Sequence, residues 1–387
     1  MSTDLTSHRL GPDERTFLLS VLDPRSTGPL TRAASLDWPA LLAVASAANY
    51  ISLLADRTLS TSSDLDAATR ETLRSALEQT ATHNTRILAE LARSSALLQS
   101  AGIEHVALKG AVLLARHYPR ITTRHTVDLD LLVDPKRFEL AERTLRSAGY
   151  VDDPHYARTL VGDGTSLAQA WPERAHTCPP LKGPSGVTLD LHHRVPISDF
   201  ESSGGFAGWL ARSQRASVQG VQVPLCGPHD LTAHLCEHFV LQHHADPADA
   251  PRLLCDLRVL AVPAPDWTAL RRGSASRRFA VLAVQRLYDA AFNAGAARDP
   301  LTVLLQRIAI AEPSVAVPLA ELSHLIGHAS RLSFNVRNRP SYALRSVFPT
   351  RKYMAQQYGI DPRSPRIYPL YVKRLFTKPL APLLRKR

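Results

Sequence analysis

Cysteine is scarce and unclustered in this chain: Cys178, Cys226, Cys236 and Cys255 are the whole set, and no two form a Cys-x-x-Cys pair. A disulfide-stapled scaffold is excluded, and free thiols in a reducing, cytoplasmic compartment are expected. Long apolar runs are missing as well. No stretch reaches the about 18 residues that a membrane span needs. The charged N-terminal segment has no apolar h-region, so a secretory leader is not expected either. Acids are the minority charge, 35 against 46 Lys and Arg, which leaves a formal net charge of +11. Such a balance favours polyanionic partners or substrates: nucleotides, RNA or an acidic membrane face. The excess is local. Residues 351–387 carry most of it, with Asp361 as their single acid. This tail lacks the interleaved aromatics and glycines of a single-strand RNA platform, so a plain solvated surface suits it better, with RNA binding left open.

What is present is ample apolar residue: 387 residues at 44% hydrophobic bury a large core and imply two or three domains. Residues 1–100 read as a helical region. "LDWPALLAVASAANYISLL" and the long "TRETLRSALEQTATHNTRILAELARSSALLQSAG" repeat apolar positions at three- and four-residue steps. The polar connector between them supplies a Ser or Asp cap, and Gly102 is placed to stop the second helix. From 101 to 200 the texture changes to a compact mixed unit. "IEHVAL" is a strand, "KGAVLLARHY" a helix, and "VDLDLLV" a second strand. A helix follows that starts at Asp134 and Pro135 and stops at Gly149; then come a long loop and a third strand, "GVTLDLHHRV". Helices return over 201–350, ahead of the basic tail at 351–387.

The chemistry-bearing stretch is "VDLDLLV". Asp128 and Asp130 stand in an otherwise apolar run, and a buried carboxylate is costly unless it is paired or binds a metal. Side chains alternate along a strand, so both acids project from one face roughly 6–7 Å apart. Two such carboxylates can share hard divalent cations, which take oxygen ligands together with substrate phosphates. Two ions about 3.5–4 Å apart stabilise both the attacking and the leaving oxygen of a phosphoryl displacement. Asp190, in "VTLDLHH", is the natural third acid and a candidate general base. One of His192 and His193 shares its face, to orient an acceptor or simply to pack. His234 and His238, four apart on a helix, permit a zinc site but lack a third ligand fixed by spacing. Asp256 reads as a buried partner for one of these histidines.

The segment "ALKGAVLLARHYPRITTRHTVDLDLLVDPKRFELAERTLRSAGY", approached through Asn84, Gly102 and Ile103 and followed by "HLCEHFVLQHH…LLCDLRVLA", resembles a bacterial family of uncharacterised nucleotidyltransferases within the polymerase-β-type superfamily. The resemblance implies an α+β fold: a small mixed β-sheet nucleotidyltransferase core flanked by N-terminal and C-terminal helical regions. It implies transfer of a nucleoside monophosphate from a nucleoside triphosphate to a hydroxyl or similar acceptor, with Mg²⁺ or Mn²⁺. Asp128, Asp130 and Asp190 map onto the metal-binding, catalytic acids. Lys109, Gly110 and Arg124 fall where triphosphate is bound, although Arg124 has the alternative of an ion pair with Asp128. The basic tail gains the further reading of a clamp over the triphosphate. The chain departs from the superfamily at Ala111, where a phosphate-contacting serine is usual. Without that hydroxyl, a non-catalytic nucleotide-binding or accessory protein is the alternative. A small-molecule acceptor is favoured over a protein side chain or an RNA 3′ end.

Overall fold

A computed structural model describes residues 10–24, 35–62, 64–155, 177–243, 245–261, 264–293 and 300–312, with short pieces at 364–365 and 368–371. The clamp expected of the basic tail falls almost wholly outside these residues. The architecture is α+β.

The N-terminal helices are α1 (Pro12–Val21), α2 (Trp38–Ala47), α3 (Ile51–Thr61) and α4 (Ala67–Ser100). The apolar run expected as one helix divides into α2 and α3. The break falls at Asn49, whose φ of 56° is left-handed, a conformation Asn tolerates better than most residues. Asp66 caps α4 by accepting from Thr69 N–H at 2.9 Å. At its other end Gly102 takes a φ of 65° and Ile103 N–H bonds back to Leu98, a helix stop of the glycine type.

The sheet begins with β1 (His105–Leu108), which runs into the short helix α5 (Lys109–Val112) and a π-turn at Leu113–His117. β2 (Leu129–Val133) follows, then α6 (Phe138–Ser147), β3 (Val151–Asp152), β4 (Leu181–Lys182) and β5 (Thr188–His192). Asp134 accepts from Lys136 N–H and Gly149 has a φ of 93°, so the signals expected to bound α6 are used. After α7 (Gly205–Ala211) comes a hairpin of β6 (Gln214–Val218) and β7 (Val221–Leu225). Its two-residue turn has φ of 48° at Gln219 and 85° at Gly220, the sense that matches strand twist. The C-terminal helices are α8 (Pro228–Glu237), α9 (Ala250–Leu260), α10 (Trp267–Leu270), α11 (Ala275–Phe292) and α12 (Pro300–Ala309).

The sheet order is β3-β4-β5-β2-β1-β7-β6. β2 pairs antiparallel with β1 and parallel with β5, and β1 pairs parallel with β7. The short β3 and β4 and the β6–β7 hairpin, none of them evident in the periodicity, thus leave β1 and β2 interior. All residues of both strands are buried, which explains a run apolar on both faces. α4 lies along this sheet, touching β1, β2, β6 and β7.

The chain between α5 and β2 has little regular structure and is fixed by side chains instead. Asn84, fully buried in α4, donates to the carbonyls of Ile121 and Arg124 and accepts from Thr126 N–H. Arg124 forms a two-pronged ion pair with Asp256 of α9, at 2.7 and 2.9 Å, and Tyr118 donates to the same carboxylate at 2.9 Å. Asp256 therefore partners an arginine and a tyrosine rather than a histidine. All three groups are buried, so removing the carboxylate strands a guanidinium. Asp256→Ala is expected to cost about 3–5 kcal/mol, read as a lower denaturant midpoint at unchanged slope.

Candidate active site

Parallel pairing of β2 with β5 puts Asp130 directly opposite Asp190 in register. Asp128 lies two residues before Asp130, at the mouth of the strand. The three acids expected to act together are brought to one end of the sheet, and β1 delivers Lys109 to the same place through the pairing of Leu108 with Asp130. His192, two residues after Asp190, shares its face and directs Nε2–H to Asp130 Oδ1 at 3.0 Å. His193 turns away and packs edge-on against Phe138, ring centroids 4.8 Å apart.

Asp130 is the buried centre of this group, at 1% exposure. Its Oδ1 accepts from Lys109 Nζ at 2.7 Å as well as from His192. Its Oδ2 is buried with no hydrogen-bond partner. Burial alone would raise its carboxyl, but the Lys109 ammonium and the His192 bond outweigh it and hold the group well below the usual carboxylate range. Asp128 goes the other way: burial first, then the negative charge of Asp130, raise it. Lys109 is opposed by burial, yet the charges of Asp130, Asp128 and Asp190 raise its ammonium above the ordinary lysine range.

Lys109 holds its position under strain. Its φ of 47° is left-handed, and for a residue with a β-carbon that conformation costs on the order of 1–3 kcal/mol. Gly110 has no room to be anything else. A β-carbon there would meet Thr126 Cγ2 at 2.7 Å and an Arg124 guanidinium nitrogen at 2.9 Å. That nitrogen also donates to Thr126 Oγ1 at 2.8 Å. Arg124, expected to clamp a phosphate or to pair with Asp128, makes its ion pair with Asp256 rather than Asp128. Its guanidinium nitrogens are engaged by Asp256, Thr126 and the His125 carbonyl, and it braces the Lys-Gly turn.

Asp130, Asp190 and His192 offer ligand atoms all within 4.8 Å of one another, the group among the described residues able to hold a metal ion. Hard carboxylate oxygens, one of them buried and unpartnered, fit Mg²⁺ or Mn²⁺. The zinc-spaced His234 and His238 meet edge to face, ring centroids 5.8 Å apart. The sequence offered His234 as half of a zinc pair, not as a neighbour of Lys109 and Asp130. His234 is buried with both ring nitrogens unpartnered, and burial, then the Lys109 charge, keep it neutral. Only the fold could reveal that proximity.

A family model described as an uncharacterised nucleotidyltransferase matches residues 34–291, and the chain belongs to that family. It is a nucleotidyltransferase. No curated protein matches the chain.

Two outcomes follow from this geometry. Gly110→Ala forces Thr126 and Arg124 apart and is expected to cost about 1–3 kcal/mol, measured by thermal or denaturant unfolding. Asp130 has its folded-state pKa depressed, so its contribution is complete above the unfolded value of about 4 and is lost as pH falls through the folded value. Stability should therefore rise with pH across the acid limb, and Asp130→Asn should flatten that limb in unfolding experiments between about pH 2 and 5.

Proposed function

We propose that the protein transfers a nucleoside monophosphate from a nucleoside triphosphate to a hydroxyl, or a similar nucleophile, on a small polar acceptor. Mg²⁺ or Mn²⁺ would be held by Asp128, Asp130 and Asp190. The observation that carries this reading is the register of β2 and β5, which sets Asp130 opposite Asp190 with Asp128 two residues away. A divalent ion, when bound, neutralises triphosphate charge and polarises the reacting oxygens. The chain's own residues do the rest. Asp190, half-buried, would accept the acceptor's proton. Lys109 adds positive charge beside the triphosphate, and Gly110 lets the turn approach it closely. Arg124 keeps that turn in place. Such catalysis is mostly positioning and charge neutralisation.

A cavity of about 930 Å³ supports a small acceptor. It lies between the N-terminal helices and His125, and Ser46, Asn49, Thr72, Gln79 and His83 are among its lining residues. His125 lies three residues before Asp128, within about 11 Å along an extended chain. Its imidazole stacks on that of His83 at 4.9 Å. Burial, then the charges of His83, Arg124 and Arg252, lower it to about 4, so it is neutral at physiological pH. Glu71 is the one ordinarily charged side chain among the described lining residues, and none is Lys or Arg. A neutral or amine-bearing polyhydroxylated molecule matches this lining; a phosphate backbone does not.

The test is label transfer from α-labelled triphosphates to a panel of small acceptors and RNA. Asp128→Asn and Asp130→Asn should each lower transfer by more than about a hundredfold, beyond the roughly 10–100-fold that outer partners of a metal carry. Chelation should abolish it and Mn²⁺ restore it. Full activity in either variant would sink the reading. Acceptor binding should be nearly indifferent to salt, whereas RNA binding would weaken steeply.

A further inference from the structure

Lys109 is not a solvated lysine at a strand end. Its side chain is only 18% exposed and its Nζ rests 2.7 Å from Asp130 Oδ1. His192 Nε2 occupies the same oxygen at 3.0 Å. Asp128 and Asp190 also act on the ammonium electrostatically, so it sits within the field of all three acids. The backbone that delivers it is left-handed at a residue with a β-carbon, and the next residue must be glycine for the turn to close against Thr126 and Arg124. The placement is therefore built by the fold. Proteins keep such backbone conformations where the surroundings over-determine them, most often at functional sites.

Two-ion phosphoryl-transfer sites set their cations about 3.5–4 Å apart around shared carboxylates. Here one oxygen of the central carboxylate is already taken by a protein ammonium and an imidazole. The other, Oδ2, is buried without a partner. One ammonium and one divalent ion together balance three carboxylates. A second divalent ion would face the ammonium across a partly desolvated site, where like charges repel strongly.

We propose that Lys109 is a built-in cation standing in for one of the two divalent ions, so that the acid site takes a single Mg²⁺ or Mn²⁺ per chain. This inference rests on the metal-dependent reading given above. It assigns Lys109 a place among the acids, in addition to any contact with triphosphate.

Mn²⁺ titration of the full chain, followed by calorimetry and by the electron paramagnetic resonance of free Mn²⁺, tests it with and without a non-hydrolysable triphosphate. Wild type is expected to bind one Mn²⁺ at the acids, counted as the binding lost in Asp130→Asn. Lys109→Met is expected to bind two, and Lys109→Arg, which keeps the charge, one. Two ions in the wild type overturn the inference while leaving metal-dependent transfer intact. No ion in the wild type overturns both. Circular dichroism verifies that the variants fold; should Lys109→Met not fold, the wild-type count still decides.

Discussion

A carboxylate at 1% exposure on an interior strand is the constraint around which this molecule is arranged. Asp130 sits where β2 is flanked by β1 and β5, with apolar neighbours along the strand and no access to bulk water. A charge so placed must be compensated from nearby, because the penalty for leaving it alone exceeds the stability of most domains. Each flanking strand supplies one partner: β1 leads into Lys109, and β5 carries His192. The other oxygen, Oδ2, is left buried without a hydrogen-bond partner, in a carboxylate whose group with Asp190 and His192 could hold a metal ion.

The compensation reaches further than those partners. Lys109 arrives only because the turn after β1 adopts a left-handed conformation, and that turn closes only because residue 110 has no side chain. The surface against which it closes, Thr126 and Arg124, is fixed by Asn84 from α4 and by Asp256 from α9. The N-terminal and C-terminal helices thus meet the chain entering the sheet through a buried asparagine and a buried ion pair. Flanking helices that look like simple packing turn out to set the conformation of the chain entering the acid strand.

The charge pattern separates two roles that the sequence shows as similar. Lys109 and Arg124 both precede the acids and both read as phosphate ligands. Arg124, with a planar fork, is matched two-to-two by the carboxylate of Asp256, the geometry a guanidinium favours. Lys109, a compact point charge on a flexible stem, sits 2.7 Å from Asp130 Oδ1 and within the field of Asp128 and Asp190. Among the described residues no helix is long and apolar enough to cross a membrane.

Local pattern was enough for the strand that carries Asp128 and Asp130, for Asp66 and Gly102 bounding α4, and for Asp134 and Gly149 bounding α6, since each depends on residues within a turn or two of itself. It was enough, too, for the α+β class and for the family. It missed β3, β4 and the β6–β7 hairpin, because short strands carry too few residues for a period to show. It read the run through Asn49 as one helix, since an apolar pattern does not register a single left-handed residue. The partners of Asp130, the diversion of Arg124 to Asp256 and the burial of His234 beside the site were decided by tertiary structure alone. Each joins residues far apart in the chain, and which side chain meets which charge is fixed only when the strands pair in register and the helices pack against them.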